Sequence, residues 1–366
     1  MSYLRILGLT VLLCLTLVGT INWLIDPYGM YWSPQFEGIN TKKVRAGNRV
    51  RSIKPVRVKQ VNPQTVLIGN SRIEMGMSAL SKQFTAQPVY NLGMPGIGLS
   101  LQAKLAMDQL RNNANLRTML LSVDYLDFLF SPESLRKSGE AQLLPETVEN
   151  WWPDMKQRVH DYLSLLLSLD TLSSSIQTVA LQRSDSNHIG KFGTNIADGY
   201  LSIIRSEGLD VLFRQKINEV SSRLASSGQI LYSENLSENP GFSWLKTIIE
   251  EARARQINLV IFTNPYHYSY LQLIHESGQW DQFEDWKRGL ARLSENGITI
   301  LDFSGFNRYS LEEANLTDNH QKMQWYWEPS HYNASLGELM LTVMLSPQQQ
   351  KQFGRKLNIE NIDRIL

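Results

Sequence analysis

Five short apolar runs, at residues 65–69, 89–92, 119–123, 259–262 and 298–301, constrain the fold of this chain more than any other feature. Each ends at a polar residue or a glycine, and several are continuously apolar rather than alternating. Strands of that kind are buried on both faces, as in a parallel sheet covered by helices above and below. Segments with helical spacing lie between or after them, at 101–110, 211–225, 242–256, 281–293 and 336–345. The expected fold class is therefore α/β, a three-layer, doubly wound, mostly parallel sheet. Between residues 128 and 240 the alternation stops, and a mainly helical insertion is expected. Residues 151–183 read as helical around the apolar centre 162–167, and a polar, glycine-bearing stretch follows at 184–200. Such an insertion is expected to cap the carboxyl ends of the strands, where ligands bind in open α/β sheets.

Residues 6–25 carry no charge and lie between Arg5 and Asp26. At 1.5 Å per residue the run spans roughly 30 Å, the thickness of a bilayer core. It is longer than a usual signal-peptide core, Thr20-Ile21-Asn22-Trp23 offers no small-x-small cleavage site, and Trp23 suits a membrane interface. An uncleaved anchor over residues 1–25 is expected, with the lipid bilayer as a partner. Cys14, the only cysteine, lies in this run behind Val11-Leu12-Leu13, a context against lipoprotein processing. The rest of the chain then has no thiol and no disulfide, which is compatible with an oxidising compartment.

Residues 26–61 are expected to form a basic juxtamembrane stalk. Lys42, Lys43, Arg45, Arg49, Arg51, Lys54, Arg57 and Lys59 occur there with no acidic residue among them. Two uses stay open, a solvated and partly helical connector, or a patch that meets anionic headgroups or an acidic polymer. Counting positive charges favours a cytoplasmic domain, but the cluster begins near the distance from the anchor at which such counting stops mattering. With Lys+Arg 36 against Asp+Glu 35 and 42 % apolar residues, the chain is globular in composition. The basic cluster lacks interleaved aromatics, so no nucleic-acid partner is expected. The main domain is expected over residues 62–346, followed by a tail at 347–366.

The first run leads into Gly69-Asn70-Ser71-Arg72-Ile73-Glu74. This places Ser71 directly after a strand, in the first turn of a helix, where unpaired N–H groups and the helix dipole favour a developing oxyanion. The same residues also read as an S-x-x-E capping box, with Ser71 a plain helix cap. Far along the chain comes Trp327-Glu328-Pro329-Ser330-His331-Tyr332-Asn333. Glu328 there is spaced to orient the His331 imidazole, which can take a proton from a serine hydroxyl. Asp302 competes with Glu328 for the orienting role, and Asp318 with His320 is the next acid–imidazole pair. Asn264 and His267 follow the fourth run and are candidates for substrate contact, or else belong to an ordinary strand-to-loop turn. Asp318, His320, Glu328 and His331 match no compact zinc spacing, so neither metal nor cofactor is expected.

Gly69-Asn70-Ser71 resembles the first block of the SGNH, or GDS-like, hydrolase superfamily, in which Gly-Asp-Ser holds the nucleophile. Asn91-Leu92-Gly93-Met94-Pro95-Gly96 is similar to the second block, and Glu328-Pro329-Ser330-His331 to the last, Asp-x-x-His. The resemblance covers about residues 62 to 346. It implies a Ser71–His331–Glu328 triad and an oxyanion hole formed by the N–H groups of Ser71 and Gly93. Asn70 stands where the family has Asp, and Glu328 likewise. The third block, Gly-x-Asn-Asp in the family, reads Ser122-Val123-Asp124-Tyr125 here. Asp124 is thus expected to hold a loop or a substrate hydroxyl rather than an oxyanion, and Asn264 or His267 to supply the missing donor. The anchor resembles that of the membrane-tethered extracytoplasmic branch, whose members modify cell-surface polymers, as in alginate O-acetylation, or assist D-alanylation of teichoic acid. A periplasmic or extracytoplasmic domain, a glycan or acylated polymer substrate and an integral membrane acyl-donor partner follow from that resemblance. So does an alternative, a catalytically inactive subunit that binds glycan or scaffolds a synthesis complex.

Overall fold

A computed structural model of the chain describes residues 2–131, 155–225, 230–231, 239–294, 297–317, 319–346 and 353–366. Each of the five apolar runs forms a strand: β1 (Thr65–Ile68), β2 (Val89–Asn91), β3 (Thr118–Val123), β4 (Asn258–Thr263) and β5 (Thr299–Asp302). They pair in parallel in the order β2-β1-β3-β4-β5. A hairpin of β6 (Tyr326–Glu328) and β7 (His331–Tyr332) stands apart from this sheet. Late in the chain β8 (Arg355–Lys356) adds an antiparallel edge to β5.

Two compact units divide the chain. The first comprises Met1–Arg57, Glu149–Lys191 and Asn195–Gly199, and the second Val58–Val148, Phe192–Thr194 and Tyr200–Leu366. In the second, the sheet is flanked by helices, as its continuously buried strands require: all four residues of β1 are buried, as are the last five of β3 and of β4. Helices α3 (Ser71–Gly76) and α4 (Leu99–Asn112) follow β1 and β2. The result is a mixed, mostly parallel three-layer α/β arrangement.

The first unit holds α1 (Ser2–Ile25), most of α2 (Val50–Val61), and a hairpin of α5 (Met155–Leu167) and α6 (Leu169–Ala180). Within α1, Tyr3–Ile25 is long and apolar enough to cross a membrane, with a mean hydropathy of 2.2. Its last carbonyls are taken by side chains: Leu24 by Asn40 Nδ2 (2.6 Å) and Ser33 Oγ (3.1 Å), Ile25 by Lys43 Nζ (2.9 Å). Asp26 then turns the chain in the left-handed region (φ 48°), and its carboxylate accepts the N–H groups of Met30, Tyr31 and Trp32. Burial pushes the Asp26 carboxyl up and the Lys43 ammonium down, each opposed by the other's charge at 3.8 Å. Lys43, Lys54 and Arg57 are buried while Arg49 and Arg51 are exposed. The basic stretch is therefore not uniformly solvated, because part of its charge caps and packs the end of α1.

At the β5 end of the sheet in the second unit, Asp302 is buried and meets Lys287 Nζ at 2.9 Å. Helix α11 (Trp280–Leu293) supplies that lysine. Burial pushes the Asp302 carboxyl up, but Lys287 and the Ser304 and Thr263 hydroxyls outweigh it and hold the group below its ordinary value of 3.8. A depressed carboxyl contributes stability that is present above the unfolded value and is lost as pH falls through the folded one. Asp302→Asn, which leaves Lys287 buried and unpaired, is expected to cost about 3–5 kcal/mol near neutral pH. In denaturant titrations followed by tryptophan fluorescence, that deficit should shrink below about pH 3.8; a deficit constant down to pH 2 contradicts the assignment.

Candidate active site

Helix α3 begins one residue earlier than a capping box on Ser71 requires. Asn70, in an extended conformation, is the cap, and its Oδ1 accepts the Arg72 N–H at 3.0 Å. Ser71 is thereby the first helical residue, and its hydroxyl is not used as a cap. Instead Ser71 Oγ lies 2.7 Å from His331 Nε2. The S-x-x-E signal was displaced because the neighbouring Asn is itself a strong capping residue.

The carboxylate and the imidazole face each other across a two-residue turn. Glu328 and His331 are cross-strand partners in the β6–β7 hairpin, with Pro329 and Ser330 between them. His331 Nδ1 bonds Glu328 Oε1, and Glu328 Oε2 accepts the Ser330 N–H at 2.8 Å. Burial pushes the Glu328 carboxyl up, but His331, Lys216 and the Ser330 N–H prevail and hold it below its ordinary range. A carboxylate kept ionised on Nδ1 selects the tautomer whose Nε2 accepts a proton from Ser71.

Arg72 joins the two remote stretches. Its Nε donates to Ser330 O at 2.7 Å, and its terminal nitrogen lies 3.0 Å from Asp124 Oδ2. Its guanidinium also lies over the Tyr266 and Tyr270 rings, at 5.1 and 5.5 Å. Asp124, just past β3, accepts further from Asn70 Nδ2 (2.5 Å), Asn264 Nδ2 (3.1 Å) and Tyr266 OH (2.8 Å). Asp124 thus binds the loops after β1, β3 and β4 to one another.

Several expected contacts are used up inside the protein. Asn264 is fully buried, and its Oδ1 accepts the Tyr332 hydroxyl at 3.2 Å. His267 is also fully buried. It caps α10 (Tyr268–Glu276) through Ser269, and its Nε2 bonds Glu312 O at 2.7 Å. Burial pushes its imidazole down and outweighs the Glu312 carbonyl and the Glu328 charge, which push it up. The Gly93 N–H donates to Asn91 Oδ1 at 2.9 Å, so it is engaged within its own loop rather than presented beside Ser71. A side chain at Gly93 would strike the start of α3, which is why the loop passes there only as glycine. Asp302 is committed to Lys287, and His320 to Ile204 O at 3.0 Å; Asp318 lies outside the described residues.

Other residues were not anticipated. Tyr200 stacks on Trp327 with centroids 5.5 Å apart, and its ring lies 6.4 Å from that of His331. Burial, and then the Glu328 charge, push its phenol up, so it stays neutral. Asp127 follows β3 in the turn Tyr125–Phe128; burial and Asp124 push its carboxyl up to about 7 against Arg223 and Arg72. A single aromatic or acid carries no periodic signal that would single it out. A cleft of about 230 Å³ bounded by Trp280, Phe283, Lys287, Asp302 and Phe306 lies by the β5 end and shares no residue with the Ser71 group. Among the described residues, no group of three or more His, Cys, Asp or Glu is placed to hold a metal ion.

Removing Arg72 leaves Asp124 buried without its cation, so Arg72→Met is expected to cost about 3–5 kcal/mol. Combined with Asp124→Asn, the loss should fall short of the sum by about 0.5–3 kcal/mol in a double-mutant cycle measured by denaturation. Additive losses contradict a shared network.

Comparison with protein-family models gives no match for this chain, and comparison with curated proteins gives none either.

Proposed function

We propose that the chain is a membrane-anchored serine acyltransferase or esterase of SGNH-like type, acting on a cell-envelope glycan or exopolysaccharide. The observation that carries this is the line from Ser71 Oγ through the His331 ring to Glu328, drawn from stretches 260 residues apart. Further support comes from the strand order 2-1-3-4-5, which is that of flavodoxin-like sheets, and from the site's position at the carboxyl ends of the strands. Ser71 Oγ attacks the acyl carbonyl as His331 Nε2 takes its proton, and Glu328 supports the imidazolium that forms. Collapse of the tetrahedral intermediate releases the alcohol, protonated by the same imidazole, and leaves an acyl-Ser71. Water or a sugar hydroxyl then repeats the sequence in reverse, giving hydrolysis or transfer.

The Ser71 N–H, at the start of α3, is the first donor to the oxyanion. The Gly93 N–H becomes a second donor once Asn91 releases it. Loss of one such donor costs about 2.7–4 kcal/mol of transition-state stabilisation, which makes a slow enzyme the expectation. In this proposal α1 tethers a domain on the extracytoplasmic side. The acyl group arrives from an integral membrane partner, since one helix has no path to carry it across.

A second proposal, an inactive glycan-binding or scaffolding subunit, is favoured by the engaged Gly93 N–H and by Asp124 in place of an oxyanion-donating Asn. A chromogenic short-chain acyl ester separates the two. Full-length protein in detergent should hydrolyse it, and Ser71→Ala or His331→Ala should each lower kcat at least about 10³-fold. Hydrolysis that survives both substitutions overturns the serine mechanism; no hydrolysis by the wild type, with glycan binding intact in Ser71→Ala, supports the second proposal.

A further inference from the structure

Helix α6 is built inside out. Its buried residues are the small polar Thr171, Ser175 and Thr178, all at most 2 % exposed. Its apolar residues face outward: Leu169 is 72 % exposed, Ile176 64 % and Val179 40 %. With half-buried Leu172 they fall at i, i+3, i+7 and i+10, one continuous stripe on a helix. Asp170, Ser173 and Gln177 occupy the adjoining flank, and the two exposed leucines Leu163 and Leu167 end the helix before. An apolar stripe outward and small hydroxyls inward is the reverse of what a helix in water adopts.

The level at which this stripe sits follows from α1. Asn22, itself fully buried, donates through Nδ2 to Leu166 O (2.8 Å) and Ser168 O (3.0 Å), and its Oδ1 accepts from Ser175 Oγ (3.0 Å). A Cβ on Gly19 would lie 3.3 Å from Leu167 Cδ2. One side chain thus reaches residues seven apart, which fixes the start of α6 beside Asn22 instead of far along the polar chain. Asn22 and Gly19 lie about 4.5 and 9 Å inside the end of α1 at 1.5 Å per residue. Amphipathic helices that rest in a membrane interface sit about 5–10 Å deep.

We infer that α6, with the tip of α5, lies in the membrane interface beside the anchor, its Leu169–Leu172–Ile176–Val179 stripe on the acyl chains and its Asp170–Ser173–Gln177 flank toward water. The occupant of this face is lipid, because the buried side of the same helix and the turn before it are hydrogen-bonded to a helix long and apolar enough to cross a bilayer. This inference rests on α1 spanning the membrane and is independent of any chemistry at Ser71.

Environment-sensitive NBD labels at single cysteines test it in full-length Cys14→Ala protein reconstituted in nanodiscs. Labels at Val11→Cys, Leu169→Cys, Ile176→Cys and Ser173→Cys are quenched by lipid-borne doxyl groups or by aqueous iodide. The Leu169 and Ile176 labels should be quenched by shallow doxyl lipid at least about twofold more strongly than the Ser173 label, with the reverse order for iodide. If the Val11 label escapes doxyl quenching, the anchor itself fails and the inference with it. If Val11 is quenched while Leu169 and Ile176 are open to iodide, or are shielded from both quenchers by protein, α6 does not rest on lipid and the inference is overturned.

Discussion

The buried pair of Arg72 and Asp124 fixes the geometry on which everything at the sheet's carboxyl edge depends. Burying two charges costs several kcal/mol per ion unless the remaining lone pairs and protons are also satisfied. Here they are met closely: Asp124 accepts from Arg72, Asn70, Asn264 and Tyr266, while Arg72 spends its second nitrogen on Ser330 O. The pair also has a positional role. It clamps the residues immediately next to Ser71 and His331, so the 2.7 Å approach of hydroxyl to imidazole is set by neighbours that take no part in it.

Packing completes the constraint. Helix α3 lies against β7 and the helix that follows it, α12 (Ala334–Leu345), so tightly that a Cβ on Gly337 would run into the Gly76 carbonyl. Asn333 caps α12 and also holds Gln324 O at 2.8 Å, which anchors the far side of the β6–β7 hairpin. His267 donates its backbone N–H to Pro329 O at 3.1 Å in the turn itself. The hairpin is thus pinned from α3, α10 and α12, which suits a site whose parts must stay within tenths of an ångström.

Much of this was legible in the residues. All five apolar runs became strands, because continuous burial leaves a periodic trace that short loops do not. Ser71, Glu328 and His331 were likewise visible, since strand-end and turn positions combine a functional residue type with a local conformation. What the residues hid was the fate of polar groups whose partners lie far away in sequence. Asn264 and His267 read as candidates for substrate contact, and the structure bonds them to Asp124, Tyr332 and the Glu312 carbonyl. The capping box was misplaced by one residue for a local reason, two adjacent residues able to cap. The stripe on α6 was present in the sequence as helical periodicity, but periodicity alone does not say which face is inward.

Whether Ser71 is a nucleophile can be asked without knowing any substrate. A fluorophosphonate reacts with an activated serine and leaves a stable adduct that intact-mass and peptide mass spectrometry locate. One equivalent should attach at Ser71 in the full-length protein, and His331→Ala should slow that attachment at least about 10²-fold, the contribution of a lost general base. No adduct at Ser71, or an adduct that forms as fast without His331, contradicts the proton-transfer line.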